Sequence, residues 1–289
     1  MNKLEKLAQK LIRRSYPKEQ FLGILQNLFG MFEDPEIIYQ TLIARGFPLA
    51  EKNGKVYLKT AKTPYKNQEF TVVDIETSGS KPEYAQVIEI GAIKFRGDKV
   101  IDRFESFIYA DEIPEYISKL TGIIQTDLEN APLQKEVLKQ FKEFLGDSVF
   151  VAHNVHFDYN FISSKLEQLG FGKLANRRLC SIDLAKKTIE SERYGLEYLN
   201  ESLGINTAVS HRAYADALTA WKVMQKALQH IPNDIRTTED LIHFSKKAKS
   251  KRLPSQQNVN KLCSKKVTPV VDSCSEHIEE SVNSDNKSN

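Results

Sequence analysis

Asp74 and Glu76 are the two residues whose type and spacing point most directly to chemistry. They close an apolar run, Phe70-Thr71-Val72-Val73, which reads as a buried strand because it is β-branched and aromatic with no Gly or Pro. Side chains alternate along a strand, so the two acids share one face. Adjacent carboxylates repel unless something neutralises them. A divalent ion that prefers hard oxygen ligands, Mg²⁺ or Mn²⁺, is the usual remedy. On its own the pair fits equally well a strand that emerges into solvent. Asp158 follows a second apolar strand, Val149-Phe150-Val151-Ala152, and begins a helix with Phe161, Ile162 and Leu166 along one side. Taken alone, it is explained by the preference of a first helical turn for an acid.

His211 and Asp216 form a third group. Asp216 lies in a helix among Ala213, Ala215, Ala217 and Ala220, small residues that allow close packing on a sheet. A buried acid there needs a partner. His211 sits in the loop just before, and its side-chain type suits general-base work near neutrality. Taken singly, it is an ordinary loop histidine. Together, the three groups can converge at one sheet edge. Four carboxylates and a histidine match two-metal phosphodiester hydrolysis, in which one ion activates a water and the other stabilises the leaving oxygen.

The elements that must position these residues fall into three regions. From 1 to 63, Leu4, Leu7, Ala8, Leu11 and Ile12 recur at helical spacing, as do Phe21, Leu22, Leu25, Leu28 and Phe29. Pro35 opens a third helix, which Gly46 ends, and a hairpin turns at Asn53-Gly54. Three helices and a hairpin fit a small winged-helix-like domain, a module that binds DNA in some proteins and other proteins elsewhere. Thr63 to Asn67 reads as a linker.

The second region, 68–231, alternates strand and helix patterns. Strands are expected at 70–76, 86–95, 99–109 and 149–152, with a short one near 178–182. Helices are expected at 132–145, 157–169, 181–190, 195–203 and 212–229. Short turns between the early strands and helices between the later ones imply an α/β fold with a mixed five-stranded sheet flanked by helices. The third region, 232–289, holds one short helix from Thr238 to Lys247. Beyond Lys249 it is polar and Ser/Asn/Lys-rich, which predicts a mostly disordered C-terminal tail.

The formal charge of +3 over 289 residues does not by itself announce a nucleic-acid binder. Its distribution is uneven, with eight Lys or Arg and no acid between Lys246 and Lys266. Cys180, Cys263 and Cys274 form no CxxC pair, which suits a reducing, cytoplasmic setting. No segment is long and apolar enough to span a membrane. Glu5 and the continuing folded pattern argue against a transit peptide. His153 and His156 suggest zinc weakly, and His153 has a structural explanation in the motif below.

Three ordered motifs resemble the DEDDh 3′→5′ exonucleases, a family on the RNase H-like fold whose familiar member is the epsilon proofreading subunit of bacterial DNA polymerase III. Asp74-Ile75-Glu76-Thr77-Ser78-Gly79 is similar to D-x-E-T-T-G, with Ser at the second Thr. His153-Asn154-Val155-His156-Phe157-Asp158 is similar to H-N-x-x-F-D, and His211 to Asp216 to H-x4-D. Ile88-Glu89-Ile90-Gly91-Ala92 and Leu120-Thr121-Gly122-Ile123 add further likeness, which covers roughly 68 to 230.

The resemblance implies that Asp74, Glu76 and Asp216 hold one Mg²⁺ or Mn²⁺, with Asp74 and Asp158 holding a second. It implies His211 as the base, and Thr77 and Phe157 near the terminal nucleotide. It also implies a substrate, the 3′ end of single-stranded DNA, and a DNA polymerase partner reached through the C-terminal region. RNA-directed enzymes of the RNase T and oligoribonuclease type share these motifs. A tethering protein with secondary nuclease activity is the remaining alternative.

Overall fold

The computed structural model describes residues 3–30, 33–207 and 211–246. The chain opens with α1 (Lys3–Arg13), β1 (Tyr16–Pro17), α2 (Lys18–Phe29) and α3 (Pro35–Ala44), followed by β2 (Leu49–Lys52), β3 (Lys55–Leu58) and the short α4 (Lys59–Lys62). The three strands pair antiparallel in the order β1-β3-β2. The tight turn at Asn53-Gly54, with both residues at positive φ, joins β2 to β3. Leu7, Leu11, Phe21, Leu25, Leu42, Val56 and Leu58 fill the core of this module. Asp34 caps α3 by accepting the Glu36 amide at 2.8 Å, with Pro35 in the first turn.

A five-stranded sheet follows, formed by β4 (Glu69–Thr77), β5 (Val87–Arg96), β6 (Lys99–Phe107), β7 (Val149–Ala152) and β8 (Arg178–Cys180). Its order is β6-β5-β4-β7-β8, antiparallel across the first three strands and parallel from β4 through β8. Between β6 and β7 lie α5 (Glu115–Thr121), α6 (Gln125–Leu128) and α7 (Gln134–Leu145). α8 (Val155–Gln168) connects β7 to β8. Then come α9 (Ser181–Thr188), α10 (Leu196–Ser202), α11 (Ala213–Leu228) and α12 (Thr238–Lys246).

Alternation along β4 divides the packing. Val73 and Ile75 enter one apolar cluster with α7 and α8, through Val137, Phe141, Phe161 and Ile162. Phe70 and Val72 enter the other with α9 and α11, through Leu184, Val223 and Met224. Asp74 and Glu76 continue the row of Phe70 and Val72, so they point to the α11 side. On β5 the residues paired with them are Gly91 and Glu89.

Gly91 sets the distance between α11 and the sheet. A Cβ placed there would lie 2.2 Å from the Tyr214 nitrogen and 2.4 Å from the Ala213 carbonyl carbon, both backbone atoms. Gly91→Ala is therefore expected to push the start of α11 away from β5. Overpacking typically costs 1–3 kcal/mol, or about 2–10 °C of melting temperature for a domain of this size, and a backbone clash lies at the upper end. Thermal melts beside assays of the cleavage expected from the motifs check this. Activity should fall with the melting temperature, because His211 and Asp216 flank the displaced turn.

The described part of the third region packs against the sheet domain. α12 buries Leu241 and Ile242 in the α9–α11 cluster. Glu239 takes a bidentate pair of bonds from Arg177, both at 2.7 Å, and a third from the Thr60 hydroxyl at 2.6 Å. Arg177 also bonds Glu5 of α1 at 2.9 Å. A buried arginine held by two acids ties the module, the edge of β8 and α12 together, and removal of Arg177 would leave Glu239 as an uncompensated buried charge. The expected disorder beyond Lys249 falls on residues outside those described.

Candidate active site

Strand alternation and the Gly91 approach bring three acids into one cluster. The carboxylate oxygens of Asp74, Glu76 and Asp216 lie within 4.8 Å of one another. Asp158 reaches the same end of β4 from the first turn of α8. It is 4% exposed, and the backbone amides of its own residue and of Ile75 favour its charged form. His211 lines a cleft of about 410 Å³ with Asp74 and Asp216. Its φ of 47° lies in the left-handed region, a conformation that L-residues other than Asn, Asp and His rarely adopt.

The electrostatics are those of a site short of positive charge. Burial, then the Asp158 and Glu76 charges, hold the Asp74 carboxyl well above the usual carboxylate range. Burial, followed by Asp216 and Glu89, pushes Glu76 up to about 8. Burial raises Asp158 to about 7 against its two backbone hydrogen bonds. Asp216 is raised chiefly by burial, with His211 working in the opposite direction. One Asp216 oxygen, Oδ1, is buried with no hydrogen-bond partner among the described residues. An orphaned buried oxygen beside two further carboxylates is a donor set that fits a hard divalent cation. Asp74, Glu76 and Asp216 would hold it, and Asp158 is the fourth acid within electrostatic reach.

Raised pKa values have a consequence for stability. Between the unfolded carboxylate pKa, near 4, and the folded values up to about 8, the folded chain binds more protons than the unfolded one. Its stability therefore falls as pH rises through that window. In the presence of a chelator, the melting temperature should drop from pH 5.5 to pH 8.5. Mn²⁺ or Mg²⁺ at roughly a hundredfold over its Kd should add about 2.7 kcal/mol, on the order of 5–10 °C. A melting temperature indifferent to metal across that range would contradict the assigned ligand set.

Glu89 holds the start of α11 in place. It is 1% exposed and accepts from Arg212 Nε at 3.0 Å, Arg212 Nη2 at 2.8 Å and the Ala213 amide at 3.0 Å. Because Glu89 pairs with Glu76 in the β4–β5 register, this anchor is built into the same rows that carry the acids. The sequence motif marks Glu89, but only the fold shows that it grips the residue after His211.

His153 is committed on both ring nitrogens. Nε2 lies 2.8 Å from the Tyr194 carbonyl and Nδ1 2.8 Å from the Ser181 hydroxyl. The carbonyl can only accept, so Nε2 donates and Nδ1 receives the hydroxyl proton. Burial lowers its pKa to about 4, which keeps it neutral. Thr77, 8% exposed, spends its hydroxyl on the Gly79 carbonyl at 2.9 Å. Phe157 is 37% exposed, and its ring lies 5.7 Å from that of Phe161. Neither lines the cleft shared by Asp74, His211 and Asp216, whereas Arg193 and Tyr198 do. Sequence patterning had no handle on Arg193 and Tyr198, because they reach the site from the loop before α10 and from α10 itself.

A mixed sheet that gathers four acids and a histidine beside one helix defines a phosphodiester-hydrolase type of site. The sequence profile of the Exonuclease family, RNase_T, matches residues 71–224, and the chain belongs to that family. Within that family its motifs are of the DEDDh type. The PolC-type DNA polymerase III of Staphylococcus aureus is 36% identical over 193 residues, which is 66% of this chain and 13% of the polymerase. The chain thus spans about an eighth of the length of the curated relatives it matches. Among solved structures, E. coli Exonuclease I in complex with a dA16 oligonucleotide aligns with a TM-score of 0.52 at 17% identity. That alignment covers 57% of this chain and 42% of the other. A zinc-bound Exonuclease I–ssDNA complex aligns at 0.53, with 17% identity and 58% and 42% coverage. These likenesses concern the fold.

Proposed function

We propose that the chain removes nucleoside 5′-monophosphates one at a time from the 3′ ends of single-stranded DNA. The reading is carried by the cluster of Asp74, Glu76 and Asp216 within 4.8 Å beside His211 in one cleft. The four acids would hold two Mg²⁺ or Mn²⁺ ions, which when bound supply an acidified water and charge neutralisation at phosphorus. His211 accepts a proton from the attacking water as its oxygen bonds to phosphorus, and the 3′ oxygen of the shortened strand leaves. Phe157 offers an exposed aromatic face for a terminal base, and Thr77, bonded to the Gly79 carbonyl, shapes the turn that follows β4.

The likeness to a PolC-type polymerase supports a proofreading role, with a replicative polymerase as partner and the cytoplasm as its place of work. The C-terminal region is the proposed docking segment.

The test is a time course with Mg²⁺ on matched 5′-labelled DNA and RNA oligonucleotides. A ladder shortening from the 3′ end on DNA supports the reading. Shortening of RNA alone assigns the enzyme to RNA, and no cleavage of either overturns the proposal.

A further inference from the structure

The acid-lined cleft must receive a polyanion, and the cations around it are few. Arg212 is spent on buried Glu89 through a bidentate bond. Among the described residues that line the cleft, Arg193 alone is a lysine or arginine. It is exposed, and no hydrogen bond or ion pair of its side chain is found among the described residues, Glu197 on the same wall included. Its backbone, by contrast, is held on both sides. The Arg193 carbonyl accepts from the Ser191 hydroxyl at 2.6 Å. The next carbonyl, that of Tyr194, is bonded to His153 at 2.8 Å, and the Tyr194 hydroxyl donates to the Ile189 carbonyl at 2.9 Å. His153 in turn stands at the end of β7, in the segment that leads to Asp158. An uncommitted guanidinium is thus mounted on a loop fixed to the strand beside the acids. Tyr198 lines the same wall from α10.

We infer that Arg193, with Tyr198 beside it, forms a subsite for a backbone phosphodiester of the bound strand, a site distinct from the metal-ligating acids. The inference rests on the exonuclease reading above for its ligand. Guanidinium and phosphate are matched in geometry, and a charge-assisted bond of this kind adds most where it holds a strand in register over a reacting centre. The histidine of the second motif thereby gains a function: it fixes the loop that carries the phosphate-binding arginine.

The experiment compares the full chain with Arg193→Ala and Arg193→Lys. Arg193 is exposed and its side chain makes no hydrogen bond or ion pair among the described residues, so both variants should fold as the parent does. KM for a single-stranded DNA oligonucleotide should rise about tenfold or more in Arg193→Ala, with kcat changing less. Arg193→Lys should recover part of the loss. The slope of log affinity against log salt should become shallower by about one phosphate contact.

Binding of a fluorescent oligonucleotide in a chelator, where no turnover occurs, reads the same subsite separately from catalysis. A single uncharged methylphosphonate walked through the 3′-terminal linkages should weaken parent binding at one position and leave Arg193→Ala unaffected there. Unchanged binding and an unchanged salt slope in Arg193→Ala overturn the subsite, whatever cleavage does. Loss of binding in Arg193→Ala, in a parent that cleaves neither DNA nor RNA, keeps the subsite and overturns the exonuclease reading instead.

Discussion

Asp74→Ala is expected to abolish metal-dependent cleavage, with a rate loss of about 10³-fold or more. The size follows from position. Asp74 belongs to the three-acid group with Glu76 and Asp216, and the Asp158 charge is the next largest cause, after burial, of its raised pKa. In the proposed two-ion arrangement it is the carboxylate shared by both ions, so its loss weakens both positions. The opposing concern is that the variant fails to fold. The electrostatics argue against that, because Asp74 is a half-buried acid surrounded by like charges, so its removal relieves repulsion in the metal-free chain. Asp74→Asn, which keeps the shape, is expected to melt no lower than the parent at pH 8 in chelator and to lose most of the metal-induced rise. A variant that stays folded and still cleaves within about tenfold of the parent would remove Asp74 from the ligand set.

The convergence of the acids was legible in the sequence because their positions follow strand and helix periodicity. Asp74 and Glu76 share a face by alternation, and the structure extends that face from Phe70 and Val72 onto α11. Asp158 was locatable because a short apolar strand precedes it, and Asp216 because alanines surround it. The sheet order was harder to read. Nothing in Val149–Ala152 states that β7 pairs parallel to β4, since a fully buried strand carries no face pattern.

The short helices α5 and α6, at Glu115–Thr121 and Gln125–Leu128, were missed for a related reason. Each buries only one or two side chains, so neither shows a helical period. β1 consists of two residues and is defined only by its pairing with Val56 and Lys55. Arg193 carries no periodic signal at all, and its place at the cleft depends on the His153–Tyr194 bond between segments 41 residues apart.

His211→Ala and His211→Asn are expected to lower kcat by about 10²–10⁴-fold, the range typical of a positioned general base, while leaving metal and oligonucleotide binding near the parent values. The two variants separate chemistry from backbone. His211 occupies φ 47°, where alanine is strained and asparagine is tolerated. If the histidine served only to hold that turn, His211→Asn would retain activity and His211→Ala would lose it. If it takes the proton, both lose activity together. The turn has independent support from Glu89, which bonds the Arg212 side chain and the Ala213 amide, so neither variant should release α11 from β5. A rate within about tenfold of the parent in both variants would assign proton transfer to another group.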